Sequence, residues 1–303
     1  MDDIVLTRTL VGQGFDDRDL GRMRRDGTLI PVRRGAYVRQ RPAEQTRAEE
    51  HRELIFATTP QLHDGAVVSH TSAAVLHGLP IWPAAFDRVH VTRNRSSGGK
   101  RRSIVHVHTA PIPDDHVTTI DGVPVTSLAR TVLDLCRTLP LEQAVAAGDQ
   151  ALAYGLVREV LEDQLSRMSR WPGTRQARRA VELLDPRSES AGESASRARL
   201  HQDGLPAPDL QQDIFDGRGK FVARVDFCWK QQRTVGEFDG KLKYGRLLRP
   251  SQAIEEVLFE EKRREDALRD LGWQIVRWLW ADIYRPGVIR DWVLRAFARS
   301  AAT

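Results

Sequence analysis

Two acids interrupt stretches that otherwise read as buried strand. In Arg224-Val225-Asp226-Phe227-Cys228-Trp229 and Val235-Gly236-Glu237-Phe238-Asp239-Gly240, alternate residues share a face of the extended chain. Asp226 therefore points away from Val225 and Phe227. Val235, Glu237, Asp239 and, if the strand continues, Lys241 fall along one side of the next strand. An unpaired carboxylate costs several kcal/mol to bury, so acids at these positions call for a reason. The short link between the strands brings Asp226 and Glu237 side by side. Paired carboxylates repel, and a hard divalent cation with oxygen ligands, Mg2+ or Mn2+, relieves the strain. Asp, hairpin, then Glu-x-Asp or Asp-x-Lys suits metal-dependent phosphodiester hydrolysis, in which the metal activates water and stabilises charge at phosphorus.

Other chemistries are less well supported. Of nine histidines, His70 and His77 are seven apart on an expected helix, and His90, His106 and His108 fall on expected strands. No acid or cysteine stands at ligand spacing from them, so they read as structural. There is no Gly-x-Ser-x-Gly and no phosphate-cradling glycine loop, which argues against serine hydrolysis and nucleotide hydrolysis. Basic residues cluster at Arg93, Arg95, Lys100, Arg101 and Arg102, and again at Lys241, Lys243, Arg246 and Arg249.

The elements that must carry these residues follow from the pattern. Residues 1–40 read as a winged helix-turn-helix: Phe15-Asp16-Asp17 caps a helix reaching Asp26, Gly27 stops it, and a hairpin turns at Arg34-Gly35. Such a unit sets one helix in a major groove and lets the wing touch phosphates, with Arg22, Arg24, Arg25, Arg33 and Arg34 as the contacts. Residues 41–185 read as a mixed α/β middle domain. It comprises a helix before Thr58, a strand and short helix over 67–78, a hairpin of strands at 89–92 and 104–108, a strand pair turning at Asp121-Gly122, and helices over 128–136 and 141–165. The Ser/Gly/Pro-rich stretch 185–192 is the expected boundary. From residue 189 the order is helix, three-strand meander, long charged helix, strand and final helix, an α/β domain with a small mixed sheet.

The two strand motifs resemble those of the very-short-patch-repair-like branch of the PD-(D/E)XK nucleases. That likeness extends over about residues 189–300, through Glu193, then Arg263, Arg264 and Asp266, then Gly272, Trp273, Val276, Arg277 and Trp280. It implies a restriction-endonuclease-like fold in which Asp226 and Glu237 hold Mg2+ or Mn2+, Glu193 assists from its helix, and Arg263 and Arg264 face DNA. Asp239 occupies the position where many of these nucleases have lysine, so Lys241 supplies the positive charge if Asp239-Gly240-Lys241 is the working triplet; both registers stay open. Lys243-Tyr244 stands where the branch often has histidine.

Upstream, Arg33-Arg34-Gly35-Ala36-Tyr37, Ser69-His70-Thr71-Ser72-Ala73-Ala74-Val75-Leu76-His77-Gly78-Leu79, Gly122 to Thr131, and Leu133-Asp134 resemble the AbiEi-type antitoxins of type IV toxin–antitoxin systems. This likeness implies an N-terminal winged helix that binds DNA and represses its own operon.

Composition sets the outer limits. The chain has 303 residues, 41% hydrophobic and 29% charged, and no apolar run of the roughly 18 residues a membrane span needs. Its N-terminus has no apolar signal core, and its two cysteines form neither a disulfide framework nor a zinc spacing, so a cytoplasmic protein without a membrane partner is expected. A net charge of +5, from 46 basic against 41 acidic residues, is compatible with a phosphate-bearing partner without specifying one. The expected function is a DNA-binding protein with a Mg2+-dependent endonuclease domain in defence or repair, working with a cognate toxin or repair partner. The alternative is a non-catalytic antitoxin or transcriptional regulator whose nuclease domain has degenerated. No feature of the sequence sets an oligomeric state.

Overall fold

The computed structural model describes residues 4–302 apart from 63–64, 83–85, 96–97, 102 and 241–253. Its chain divides into two compact units, Met1–Leu139 with Tyr154–Val181, and Pro140–Ala153 with Glu182–Thr303. Both mix helices with small sheets, so the chain is a mixed α/β protein of more than one domain.

The first unit begins with β1 (Ile4–Leu6), α1 (Thr7–Gly12), α2 (Asp17–Arg25), β2 (Ile30–Arg33) and β3 (Ala36–Val38), in an antiparallel sheet ordered β1-β3-β2. Asp16 caps α2 by accepting from the Arg18 and Asp19 backbone N–H groups at 2.8 Å, and Asp19 answers with its own carboxylate. Gly35 turns the hairpin at φ +80°, a left-handed conformation that favours glycine. Leu10, Leu20, Leu29 and Tyr37 form the small core.

The rest of this unit is built on a six-stranded sheet, β6-β7-β5-β4-β9-β8. Its strands are β4 (Ala66–Val68), β5 (Val89–Arg93), β6 (Lys100–Arg101), β7 (Val105–Thr109), β8 (Val117–Ile120) and β9 (Val123–Thr126). With α3 (Arg47–Thr58) and α4 (His70–Leu76) it buries Ile55, Phe56, Val68, Val89, Val91 and Val125. α5 (Leu128–Thr138) starts at Ser127, whose hydroxyl accepts from the Arg130 backbone N–H. Two expectations are corrected here. β5 and β7 run parallel, not as a hairpin, because β6 lies between them in sequence and pairs antiparallel with β7. Alternation reveals which face a strand buries but not its direction. The single helix expected over 141–165 is two, α6 (Leu141–Ala153) and α7 (Arg158–Arg167), separated at Gly155 with φ +96°.

The second unit contains α6, the last residues of α8 (Thr174–Leu183), α9 (Ala191–Gln202), β10 (Asp209–Phe215), β11 (Phe221–Trp229), β12 (Thr234–Phe238), α10 (Ile254–Asp270), β13 (Gln274–Trp278), α11 (Trp280–Ile283) and α12 (Val288–Ala301). β10, β11 and β12 form the expected antiparallel meander, and β13 joins parallel to β12. α6 and α9 are clasped by buried ion pairs, Asp149 with Arg197 and Glu142 with Arg199. Burial raises the Asp149 carboxyl above the usual carboxylate range despite Arg197. Two glycines permit close approaches. A β-carbon on Gly192 would lie 1.9 Å from the Phe238 ring, and one on Gly236 would lie 2.5 Å from that of Trp278. Trp278 is fully buried and donates its indole N–H to Ser196 Oγ at 2.7 Å.

Candidate functional site

The β11–β12 ladder pairs Phe227 with Gly236, so the next step along sets Asp226 across from Glu237. Sequence reading and structure agree on that adjacency. The carboxylates themselves diverge. Asp226 Oδ2 accepts from the Phe238 backbone N–H at 2.9 Å, acting as a side-chain rung where the ladder ends. Glu237 has one oxygen 2.9 Å from Arg264 Nη2 and the other 2.9 Å from Arg277 Nε. Arg264 comes from α10, while Arg277 lies beside Glu237 in the parallel β12–β13 register.

Arg277 also faces Glu265 at 3.0 Å and Glu261 at 3.4 Å. Burial works against its charge, but Glu237, Glu265 and Glu261 together hold its pKa above the ordinary value. Each oxygen of Glu237 thus already faces a fixed cation. A Mg2+ or Mn2+ ion needs hard oxygen donors, and at Glu237 it would share each oxygen with a guanidinium whose charge repels it. These contacts suit Glu237 poorly to such an ion.

Glu193 is buried at the start of α9. Its carboxylate accepts from the Glu189 backbone N–H at 2.8 Å, the Ser190 hydroxyl at 2.7 Å and the Gln211 amide at 2.9 Å. Those bonds cap the helix and tie it to β10. Asp239 is half-buried, and its backbone N–H donates to the Trp278 carbonyl at 2.9 Å. Lys241 lies outside the described residues, so neither register of the Glu237-Phe238-Asp239-Gly240-Lys241 run is distinguished. Arg263 is exposed on α10.

In the first unit, Arg22, Arg24 and Arg25 are exposed on α2 and Arg34 at the hairpin turn, whereas Arg33 is half-buried. Burial pushes the Arg33 pKa down. Arg22 is paired with Asp19 at 2.9 Å, and Arg24 Nε donates to the Leu20 carbonyl at 3.3 Å.

The structure also gathers residues that local spacing kept apart. In the parallel β5–β7 register, His90 faces His106 and Thr92 faces His108. Alternation places all four on one face of the sheet. His70, just after β4, meets them there with its backbone in the left-handed region at φ +52°. Its ring stacks on His108 with centroids 3.6 Å apart, and His106 packs against His108 at 4.0 Å. His108 Nε2 lies 3.1 Å from His90 Nδ1, and His70 Nδ1 lies 3.0 Å from Ser69 Oγ, which accepts from Thr92. Burial first, and neighbouring histidines second, push the His70 and His108 pKa values well down. Their rings are neutral at neutral pH. Among the described residues, His70, His90 and His108 are the one group of three whose ligand atoms converge, all within 4.8 Å. The signal for this group was the His-x-His of β7 beside a lone histidine on β5, but it needed the parallel register to be seen.

On α5, Arg130 and Asp134 form a fully buried ion pair at 2.9 Å, and Arg137 adds a second contact to Asp134 at 2.8 Å. The guanidinium carbons of Arg130 and Arg137 lie 4.8 and 4.9 Å from the Trp171 ring centre. No helix among the described residues is long and apolar enough to cross a membrane.

Comparison with known proteins bears on the middle of the chain. Two Mycobacterium tuberculosis proteins, uncharacterized protein Rv2248 of strain H37Rv and uncharacterized protein MT2308 of strain CDC 1551, are each 30% identical over 183 residues, 60% of this chain. The chain spans 64% of the length of these relatives. The crystal structure of the RV2827C protein of the same species aligns over 71% of this chain and 84% of its own, with a TM-score of 0.41 and 15% identity. Residues 65–186, from β4 through α8 and including the motifs at 69–79 and 122–134, match the AbiEi antitoxin C-terminal domain.

Proposed function

We propose that the chain is a non-catalytic DNA-binding regulator of the antitoxin type, whose C-terminal unit retains a nuclease-like sheet. The observation that carries this reading is the match of residues 65–186 to the AbiEi antitoxin C-terminal domain. Two features support it. α1 and α2 precede the β2–β3 hairpin in the chain, the element order expected of a helix-turn-helix with a wing, and Arg22, Arg24, Arg25 and Arg34 are exposed, available to phosphates. In the second unit, Arg264 and Arg277 engage both oxygens of Glu237, the acid a nuclease would need for its metal. On this reading the partners are operator DNA and a cognate toxin.

A mobility-shift titration on DNA upstream of the chain's own gene tests the proposal. Binding should weaken steeply with salt, since each phosphate contact releases a counterion, and should fall in a combined Arg22→Ala, Arg25→Ala, Arg34→Ala variant. Salt-independent or absent binding by the folded protein would refute it.

A second reading is a Mg2+- or Mn2+-dependent endonuclease, favoured by the register that sets Asp226 across from Glu237. Here Asp226, Glu237 and Glu193 would hold the metal, Asp239 or Lys241 would complete the triplet, and Arg263 and Arg264 would face DNA. Incubating DNA with the protein and Mg2+, Mn2+ or EDTA separates the two readings. Metal-dependent cutting lost in both Asp226→Ala and Glu237→Ala establishes the endonuclease, and DNA binding without cutting supports the regulator.

A further inference from the structure

We propose that His70, His90 and His108 form a binding site for one divalent transition-metal ion of the zinc class, independent of the acids of the second unit. The three rings come from three separate places in the sequence. His90 and His108 are fixed on adjacent parallel strands, and His70 is delivered by the β4–α4 corner. Their ligand atoms already lie within 4.8 Å of one another. Two nitrogens on one tetrahedral zinc are about 3.3 Å apart, from Zn–N bonds of about 2.0–2.1 Å. The 3.1 Å between His108 Nε2 and His90 Nδ1 is close to that edge. The third nitrogen, from His70, lies within 4.8 Å of the other two.

A metal-bound histidine characteristically donates its other ring N–H to a fixed acceptor, which orients the ring and leaves a lone pair for the ion. Ser69 Oγ lies 3.0 Å from His70 Nδ1 and is itself held by the Thr92 hydroxyl at 2.7 Å. With Nδ1–H donating there, His70 keeps its Nε2 lone pair for an ion. His70 holds a left-handed backbone, uncommon for a residue with a β-carbon and a recurrent mark of functional sites. His70 is buried while His90 and His108 are half-buried, which leaves one side of the cluster open for an ion to enter. The fixed cations on this side, Arg130 and Arg137, are both tied to Asp134. An all-imidazole set selects Zn2+, Co2+, Ni2+ or Cu2+ over Mg2+ and Ca2+.

The test uses the 303-residue chain without a histidine tag, stripped with chelator and titrated with Co2+ followed by visible absorption. The expected result is saturation at one equivalent with tetrahedral d–d bands that Zn2+ abolishes. His90→Asn and His108→Gln should each lower Co2+ affinity at least about tenfold, a loss that even outer-shell changes reach. His106→Gln and Asp226→Ala should bind as the unaltered chain does. Circular dichroism in EDTA confirms that each variant is folded. If His108→Gln does not fold, the unaltered protein's Co2+ spectrum and stoichiometry decide the matter. Failure of the folded, unaltered chain to bind one equivalent overturns the proposal, as does equal binding by folded His90→Asn. Because no DNA is present, neither result depends on the regulator reading.

Discussion

The acids of the second unit and the histidines of the first make opposite use of the same device, titratable side chains on neighbouring strands. On β11 and β12 the carboxylates look chemical in sequence, yet in the fold Glu237 is held by Arg264 and Arg277 and Asp226 by a backbone N–H. On β5, β7 and at the start of α4 the histidines look structural in sequence, yet in the fold His70, His90 and His108 converge with no acid among them. Residue type is therefore a poor guide to availability. A site is defined by what remains for a ligand after the protein's own groups have taken their share, and that depends on elements distant in sequence.

The largest expected effect falls beside the histidines. Asp134→Ala leaves Arg130, which is fully buried, without its counter-charge, and should cost about 3–5 kcal/mol. Denaturant unfolding monitored by hydrogen exchange in α5 measures it, and a loss near zero would mean that the pair is not what stabilises this side of the unit. In the second unit, Gly192→Ala drives a methyl group into the Phe238 ring. It should cost about 3 kcal/mol, toward the upper part of the overpacking range. A calorimetric scan showing an unchanged second-unit transition would break the close packing inferred there.

A third prediction separates burial from ligation among the histidines. His51, which is not one of the three converging histidines, stacks on Phe86 and lies 2.8 Å from Ser72 Oγ, and burial lowers its pKa from 6.5 to about 4. The folded chain thus leaves His51 neutral in a range where the unfolded chain protonates it. The stability it contributes is intact above pH 6.5 and is lost as pH falls toward 4. By linkage the loss between pH 8 and pH 5 is about 2 kcal/mol. His51→Gln should flatten that part of the stability–pH curve, and an unchanged slope would assign it to other groups. Smallest of all, Glu237→Gln keeps the shape of the acid and removes its charge from two arginines that are about one-third exposed. Solvent screening limits the cost to about 1 kcal/mol. A gain in stability would show instead that Glu261 and Glu265 satisfy Arg277 on their own.

Much of this architecture is readable from neighbours in the chain. Asp16 before α2, Gly27 after it, the Arg34-Gly35 and Asp121-Gly122 turns and Ser127 before α5 each act within a few residues, and each element they bound is present. The β10–β12 meander and the facing of Asp226 and Glu237 follow from short hairpin links whose register depends on adjacent strands alone. Strand direction across the longer link is another matter: β5 and β7 alternate identically whether parallel or antiparallel. Tertiary structure made them parallel, aligned His90 with His106 and Thr92 with His108, and brought His70 to the same face. It also brought Arg264 from α10 and Arg277 from β13 to Glu237. Caps, turns and alternation are short-range steric and hydrogen-bonding preferences, so the sequence determines them. Convergence and charge compensation are long-range consequences of which elements pack together, and only the folded chain decides them.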